Sequence, residues 1–264
     1  MIAKTIIQGL LTILLFLACW WGLSKFPWDQ WLGQSDSKNA LEEKLGEQLW
    51  RLYSYNGQEL KDEFIVDTVD SLVNALCEAN DLPRENFKIH IVDKSEVNAF
   101  ALPDGHLIIN SGLINQVTDH RQLAGVIGHE MGHITQKHVM HRLVREMGLA
   151  ILVSASTGNS GGMIHDILRH LSSTSFDRDE EREADSQSAQ YLDAAGINPI
   201  HLADFMYMLS TLNSDMPDAL YWISTHPDSQ ERANNILEEY EDWDKVDQSI
   251  IQEETWEKLQ SVMP

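Results

Sequence analysis

Residues 123–135 have the sequence LAGVIGHEMGHIT, in which two histidines and a glutamate interrupt an otherwise apolar run. The apolar residues recur every three or four positions, a spacing that predicts an α-helix. On a helix, residues four apart lie about 40° from each other, so the imidazoles of His129 and His133 can bind one ion. Glu130 lies one position further round the helix. The stretch therefore predicts a buried helix that carries a metal site.

Two neutral imidazoles and one carboxylate form a ligand set that suits zinc, and catalytic zinc sites keep a fourth position open for water. Zinc lowers the pKa of that water to about 7, so that Glu130 can accept the proton. The alternative is a hydrogen-bonded pair of core histidines, because a five-residue pattern also occurs by chance in a chain with 11 His. Burial of the three polar side chains without partners would be costly, which favours the metal site.

Residues 181–185, EREAD, form a second motif on a predicted helix that spans about 177–195. Glu181 and Asp185 are four positions apart and share one face of that helix. We expect Glu181 to be the third metal ligand and Asp185 to accept a hydrogen bond from the outer nitrogen of a ligand histidine, which fixes the orientation of the ring. Glu183 points about 160° away from that face, and we expect it to be a solvated charge.

Extended segments precede these helices and predict a small sheet. Residues 64–79 carry apolar side chains at helical spacing. Three shorter segments have the alternation or the turn boundaries of strands: 88–92, 98–102 and 106–110. Residues 129–133 form the pattern HExxH, in which x is any residue. After it the helical pattern continues to Val153, and His138 and His141 within it either support the ligands or lie on the surface. A Ser/Gly-rich stretch at 154–162 then predicts a loop. The sequence predicts an α+β fold that is predominantly α-helical.

The N-terminal region contains a run of twenty uncharged residues between Lys4 and Lys25. As a helix this run is about 30 Å long, the thickness of the hydrocarbon core of a bilayer. Lys4 and the terminal amine favour a cytoplasmic N-terminus, so we expect an inner-membrane anchor with the rest of the chain in the periplasm. Two alternatives remain: a cleaved signal peptide, and lipid attachment at Cys19 in a periplasmic or outer-membrane lipoprotein.

The charge of the chain limits its partners. It has 41 acidic and 19 basic residues and a net charge of -22, which repels nucleic-acid phosphates. We therefore expect no nucleic-acid partner, and the sequence leaves the oligomeric state open. The chain after Asp228 is strongly acidic, and we expect it to end in a solvated helix with a frayed terminus.

Four segments together resemble one family of zinc metallopeptidases, which includes the CAAX prenyl protease, HtpX, BepA and a mitochondrial inner-membrane stress protease. The segments are NAFALPDGHLIINSGL at 98–113, HEMGH at 129–133, DRDEEREAD at 177–185 and THP at 225–227, which Arg232 follows. The resemblance covers about residues 64–240. It implies a gluzincin domain, mostly helical, with a small sheet whose edge strand borders the zinc, and a polypeptide substrate that pairs with that edge.

The resemblance also implies roles for residues of the edge strand. Asn98, Ala99, Phe100 and Ala101 correspond to the substrate-binding segment of the family. For Phe100 the alternative is ordinary packing in the core, since large aromatic side chains are usually buried there.

His226 and Arg232 match a late motif of the family, whose residues lie beside the zinc and assist catalysis. His226 would either stabilise the tetrahedral intermediate or close the site as an extra ligand. A fixed cation such as Arg232 favours the negative charge that develops on the substrate oxygen.

The expected function is that of a membrane-associated zinc endopeptidase, with one zinc per chain, which hydrolyses unfolded or misassembled envelope proteins. The alternative is a self-inhibited or chaperone-like zinc protein that acts mainly by binding polypeptides. A purely structural zinc is disfavoured because three protein ligands leave the ion open. The expected divisions are a membrane anchor or signal segment, a juxtamembrane and scaffold helix, a metallopeptidase domain and an acidic tail: 1–27, 28–63, 64–240 and 241–264.

Two features depart from parts of the family. HtpX and the CAAX protease have several membrane spans, whereas this sequence has one candidate span. BepA-like members carry a long C-terminal domain of helical repeats, for which the residues after Glu239 are too few. A short, singly anchored periplasmic member fits the sequence best.

Overall fold

The computed structural model describes residues 36–156, 161–211 and 220–264. Residues Leu41–Pro264 form one compact unit, and Met1–Ala40 form a separate unit, of which only the start of the first helix is described. The predicted anchor, and with it Cys19, lies outside the described residues. Among those residues, none of the helices combines the length and the apolar character that a membrane span needs.

The described residues form twelve α-helices and four β-strands. The helices are α1 (Asp36–Asn56), α2 (Glu63–Ala79), α3 (Ser111–Gln116), α4 (His120–Thr135), α5 (His138–Met147), α6 (Leu149–Ser156), α7 (Gly161–Ser173), α8 (Arg178–Ala194), α9 (Ile200–Thr211), α10 (Leu220–Thr225), α11 (Ser229–Glu239) and α12 (Glu253–Val262). The strands are β1 (Gln58–Glu59), β2 (Lys88–Asp93), β3 (Ala99–Ala101) and β4 (His106–Asn110).

The four strands form one mixed sheet in the order β1-β2-β4-β3. Strands β2 and β4 are parallel, while β1 and β3 pair antiparallel at the two edges. A tight turn joins β3 to β4, in which Asp104 and Gly105 have φ values of 63° and 71°. A Cβ atom at Gly105 would lie 1.9 Å from the carbonyl oxygen of Asn86, so this position requires glycine. The predicted α+β fold, mostly helical with a small sheet, is confirmed.

The two faces of the sheet pack in two apolar clusters, because successive side chains of a strand point to opposite faces. We call the larger one the floor cluster; it joins Ile91, Leu107 and Ile109 to helices α2, α4, α8, α9, α11 and α12. The smaller one, the cover cluster, joins Val92, Phe100 and Ile108 to helices α1, α5, α6 and α7. Strand β3 and helix α4 lie where the two clusters meet.

Helices α4 and α8 approach each other closely, because glycines of α4 face small residues of α8. A Cβ atom at Gly128 would lie 2.8 Å from Oγ of Ser188, and one at Gly132 would lie 3.1 Å from Cα of Ala184. Helix α8 begins with a capping box, in which Asp177 is the N-cap residue. This close contact sets the distance between the two predicted metal-binding motifs.

The structure divides the long predicted helix that follows the HExxH motif. Helix α4 ends at Thr135, Lys137 has a left-handed φ of 58°, and Gly148 has a φ of 80° between α5 and α6. The apolar periodicity did not reveal these two breaks, because each segment separately keeps its helical pattern. The break at Lys137 turns α5 away from the axis of α4.

The C-terminal residues differ from the expected solvated and frayed helix. Ile251, Trp256 and Leu259 are buried in the floor cluster, and α12 packs against α2. The acidic residues of this segment lie on the opposite side, facing the solvent. The prediction was wrong because it was based on net charge, which takes no account of the three apolar side chains that anchor the segment to the domain.

Candidate metal centre

Four buried side chains from α4, α8 and the end of α10 converge on one point. His129, His133, Glu181 and His226 each offer one ligand atom, and these four atoms all lie within 4.8 Å of one another. The Nε2 atoms of His129 and His133 are 3.1 Å apart, and Nδ1 of His226 lies 2.9 Å from Oε1 of Glu181. None of the four residues is more than 1% exposed.

The donor atoms fit a bound cation better than they fit one another. Nε2 of His129 lies 3.1 Å from Nε2 of His133 and 3.2 Å from Nδ1 of His226, so three basic ring nitrogens face one another. Beside them, neither carboxylate oxygen of Glu130 has a hydrogen-bond partner of normal geometry among the described residues. Such buried and unsatisfied groups are costly, and a cation would compensate them. Imidazole nitrogens with a carboxylate oxygen are the ligand types of zinc sites in proteins. The residues of this cluster could therefore hold a metal ion.

Burial controls the protonation of these groups. Burial, and then the negative charge of Glu181, raises the pKa of Glu130 well above its usual range. Burial also raises the pKa of Glu181 to about 7, although Arg232 opposes this shift. Burial and the charges that His129 and His226 would carry lower the pKa of His133 well below its usual range. The imidazole of His133 is therefore neutral at pH 7, which is the form that binds metal.

The outer nitrogen of His129 contacts a carboxylate. Its Nδ1 atom lies 2.9 Å from Oδ1 of Asp185 of the EREAD motif. Arg232 donates two hydrogen bonds of 2.6 Å to the same carboxylate, from Nε and Nη2. Burial alone would raise the pKa of Asp185, but the Arg232 guanidinium holds it below its usual range. An ionised Asp185 orients the His129 ring with Nε2 towards the other ligands.

The outer nitrogen of His133 contacts a histidine. Its Nδ1 lies 3.0 Å from Nδ1 of His138, whose Nε2 is 3.3 Å from Oε2 of Glu183. Sequence reasoning left His138 undecided and assigned Glu183 to the solvent, and the Glu183 side chain is indeed 55% exposed. The contact arises because the left-handed residue Lys137 starts a new helix, which brings position 138 back towards His133. A five-residue spacing is not a helical repeat, so periodicity could not find it.

His226 and Arg232 both lie at the cluster, where the late motif placed them. Nε2 of His226 is 3.4 Å from Oε1 of Glu130, and Trp222 stacks on the His226 ring with centroids 4.7 Å apart. Arg232 forms ion pairs with both Glu181 and Asp185. Its single positive charge is therefore shared between Glu181, one of the four clustered residues, and Asp185, the carboxylate that contacts His129.

The predicted substrate-binding segment forms the edge of the sheet beside α4. Strand β3 contains Ala99, Phe100 and Ala101, and the carbonyl oxygen of Asn98 accepts a hydrogen bond from the amide of Asn110. The backbone amide of Ala101 faces the Glu130 carboxylate. The Phe100 ring lies in the cover cluster, where it meets the Tyr53 ring edge-on at 5.1 Å. Its side chain thus has the core position that was the alternative.

A helix with HExxH, a carboxylate ligand from a second helix and a strand edge beside them define a metallopeptidase of the gluzincin class. Residues 66–240 match the family described as peptidase family M48. The chain belongs to peptidase family M48, a family of zinc metallopeptidases, which confirms the resemblance seen in the sequence.

Curated relatives carry names that agree with this family. Metalloprotease LoiP of Escherichia coli (strain K12) is 32% identical over 160 residues, which cover 57% of this chain and 61% of LoiP. The mitochondrial metalloendopeptidase OMA1 of Bos taurus is 29% identical over 222 residues, 73% of this chain and 42% of OMA1. The beta-barrel assembly-enhancing protease of Yersinia pestis is 25% identical over 201 residues, 66% of this chain and 40% of that protein. The chain thus spans 40% to 61% of the length of these relatives.

Proposed function

We propose that this protein is a zinc endopeptidase, with one zinc per chain, that hydrolyses peptide bonds of unfolded or misassembled envelope proteins. One observation carries the proposal: His129, His133 and Glu181 converge in a buried cluster, with the buried carboxylate of Glu130 beside them. These three residues would hold the zinc. The family to which the chain belongs supports the choice of metal.

Bound zinc would supply an electrophile for the peptide carbonyl and a lowered pKa for water. Glu130 acts as the general base: its carboxylate takes a proton from the attacking water and returns it to the leaving amine. Burial raises the pKa of Glu130, which moves it towards the pH at which a base and an acid are both effective. Asp185 holds the His129 ring in place, and Arg232 keeps Asp185 ionised.

The edge of β3 suits an extended polypeptide. In the β3–β4 pair, Asn98 and Leu102 form backbone hydrogen bonds with Asn110 and His106. The alternate residues Ala99 and Ala101 therefore direct their backbone groups away from β4. The Ala101 amide faces Glu130, which leaves the amide and carbonyl of Ala99 and the carbonyl of Ala101. A substrate strand could pair with these groups next to Glu130. Backbone pairing recognises extended chain with little regard for side chains, which is why we infer unfolded polypeptide as the substrate class.

The compartment is inferred from the N-terminal sequence and from relatives. The uncharged run between Lys4 and Lys25 is long enough to anchor the chain, and the name of the beta-barrel assembly-enhancing protease points to a bacterial envelope setting. We propose that the domain faces the periplasm and is attached to the inner membrane, with a lipoprotein at Cys19 as the alternative.

A self-inhibited or chaperone-like protein is the second candidate function. His226 is one of the four convergent donors, and a fourth protein ligand would fill the position that a catalytic zinc keeps open. The same histidine would then have to move before hydrolysis. In an active enzyme, by contrast, His226 would donate a hydrogen bond to the oxygen of the tetrahedral intermediate.

The experiment measures bound zinc and casein cleavage by the full-length chain and by three variants. Glu130→Gln should retain zinc and lose cleavage by about 100-fold or more, because the general base is removed. Glu231→Gln changes an exposed glutamate of α11 and should behave like the wild type. Cleavage by Glu130→Gln at the wild-type rate would exclude the mechanism.

His226→Ala separates the two candidate functions. Higher cleavage than in the wild type would support self-inhibition, and lower cleavage with zinc retained would support a role of His226 in stabilising the intermediate. A chaperone-like protein would bind zinc, but neither the wild type nor any of these variants would cleave casein.

A further inference from the structure

Arg142 of α5 is a buried cation without a carboxylate partner. It is 2% exposed, and the carboxylates of Glu146, Glu180 and Glu181 act on its charge from beyond ion-pair distance. A buried charge is stable only when other polar groups replace the water that it has lost. The contacts of Arg142 therefore show what keeps it in place.

Two backbone carbonyls and one aromatic ring face the guanidinium, while its Nε atom has no hydrogen-bond partner among the described residues. Nη1 of Arg142 donates a hydrogen bond of 3.0 Å to the carbonyl oxygen of Thr174, and Nη2 donates one of 3.2 Å to that of Leu171. These carbonyls lie at the C-terminal end of α7, where the helix dipole is negative and carbonyls lack helical partners. The guanidinium carbon also lies 4.1 Å from the centre of the Phe176 ring, within the range of a cation–π contact.

Phe176 connects this arginine to a proposed metal ligand. Its ring stacks on the imidazole of His133, with centroids 3.9 Å apart and an angle of 23° between the planes. The guanidinium of Arg142 lies at a similar distance from the same ring, and two groups so close cannot occupy one face. Phe176 is therefore held between the Arg142 guanidinium on one face and the His133 imidazole on the other.

The stack has a specific task at His133. The other proposed histidine ligand, His129, has a carboxylate at its outer nitrogen, whereas the outer nitrogen of His133 meets only the imidazole of His138. A hydrogen bond between two imidazoles leaves the ring of His133 free to tilt about that bond. The stacked Phe176 ring, inclined by 23° to the imidazole, limits this freedom.

We propose that Arg142 and Phe176 are positioning residues for His133: Arg142 holds the Phe176 ring, and the ring fixes the plane of the imidazole that binds zinc. The inference rests on the proposed zinc site and adds to it two residues outside the HExxH and EREAD motifs. Neither side chain would touch the substrate. Their effect is on how tightly and in what geometry the chain holds its metal.

The test measures metal binding by the full-length protein, independently of cleavage. Affinity for zinc is obtained by competition with a chelator, and ligand geometry from the visible spectrum of the cobalt(II)-loaded protein. Phe176→Leu should lower zinc affinity by about 10- to 100-fold, as is common for residues that support metal ligands, and should change the cobalt spectrum. Phe176→Tyr keeps the ring and should restore both properties to within about threefold of the wild type.

Arg142→Met tests the other half of the stack, with Arg145→Met as its control. Both arginines lie on α5, but Arg145 is half exposed and pairs with Glu180. Arg142→Met should lower zinc affinity by about threefold to tenfold with an altered cobalt spectrum, a smaller effect than loss of the ring. Arg145→Met should leave both unchanged. Circular dichroism of the metal-free proteins establishes which variants are folded.

A folded Phe176→Leu variant with wild-type affinity and an unchanged cobalt spectrum would overturn the proposal. If that variant does not fold, a folded Arg142→Met variant with wild-type affinity and spectrum overturns it instead. Failure of the wild-type protein to bind zinc or cobalt would have a different meaning, since it would remove the proposed metal site itself.

Discussion

The floor and cover clusters hold α4 from two sides by different means. On the floor side, backbones come close: a Cβ atom at Gly125 would lie 3.0 Å from Cβ of Leu202, and Gly128 and Gly132 approach α8 as closely. On the cover side, Cβ atoms at Gly161 and Gly162, at the exposed start of α7, would meet nothing within 4 Å. Gly46 of α1 does approach a backbone closely, but its neighbour is the carbonyl oxygen of Pro103 and not α4. Tight backbone contact fixes the relative positions of helices, whereas side-chain contact tolerates adjustment. The proposed ligand Glu181 accordingly comes from α8, on the floor side.

The ion pairs show the same difference. The pair between Arg232 and Asp185 on the floor side is buried, with side chains 4% and 8% exposed. The pair between Arg145 and Glu180, which joins α5 to α8, has an arginine side chain that is 49% exposed. An exposed pair contributes little to stability, while a broken buried pair leaves an uncompensated charge. The floor should therefore be the more sensitive region, and four predictions test this.

The largest effect is expected for Arg232→Met. The substitution leaves the carboxylates of Asp185 and Glu181 buried without their cation and should lower the free energy of unfolding by about 3–5 kcal/mol. Urea denaturation of the metal-free protein measures it. The matched change on the cover side, Arg145→Met, should cost about 1 kcal/mol or less. Equal losses in the two variants would contradict the distinction between the clusters.

Gly128→Val should be the next most damaging change. Its side chain would collide with Ser188 of α8, and overpacking of this kind costs about 1–3 kcal/mol. Because α8 carries Glu181, the displaced helix should also bind zinc more weakly than the wild type. The check is urea denaturation together with a chelator competition, and a variant unchanged in both would show that α4 and α8 can separate without consequence.

Acidic pH should weaken the cover side through His106. His106 lies on β4, and its Nδ1 atom is 2.8 Å from Nε2 of His90. The His90 ring in turn stacks on Trp50 of α1. Burial, and then the positive charges of His90 and Lys88, lowers the pKa of His106 to about 4. As the pH falls, the unfolded chain therefore takes up this proton before the folded chain does. The contribution of neutral His106 to the free energy of unfolding is complete above about pH 6.5 and is lost as the pH falls towards 4.

The pH effect is measured as the free energy of unfolding between pH 6.5 and 4. Wild-type protein should lose about 1–2 kcal/mol more over this interval than His106→Asn, which cannot take up the proton. Parallel curves for the two proteins would assign the acid sensitivity to other groups.

The smallest effect is expected for Gly162→Ala. A methyl group at this position of α7 meets no other atom within 4 Å. The substitution should therefore leave the free energy of unfolding unchanged or raise it by about 0.5 kcal/mol. Thermal unfolding of Gly162→Ala and Gly128→Val, measured side by side, compares the stability of the cover side with that of the floor side. A loss as large as that of Gly128→Val would mean that α7 is as tightly enclosed as α4.

Sequence reasoning found the parts of the site that follow a helical repeat. His129 and His133 are one turn apart, as are Glu181 and Asp185, and a four-residue spacing places side chains on one face whatever the rest of the chain does. The parts that it missed depend on tertiary structure. His138 reaches His133 only because Lys137 adopts a left-handed conformation, and Phe176 meets it from a connection between helices.

The fold divides in the same way. Alternation and turn residues predicted the three longer strands, because those signals are local. The acidic sequence after Asp228 predicted a solvated end, although Trp256 and Leu259 insert into the core, since net charge averages over a helix that has one apolar side. The composition of such a helix reflects its many exposed residues and does not predict that its few apolar residues are buried.

The docking of α12 also bears on how the chain is made. Gln260 donates a hydrogen bond to the carbonyl of Ile114, 146 positions earlier in the chain, and α12 packs against α2. Helices α4 and α8 also pack against α2, so during synthesis only the part of α2 that faces α12 waits for nearly the entire domain to emerge. Contacts between such distant segments form slowly, and incomplete chains expose apolar surface in the meantime. A nascent chain of this protein would therefore keep part of the apolar face of α2 uncovered until α12 emerges.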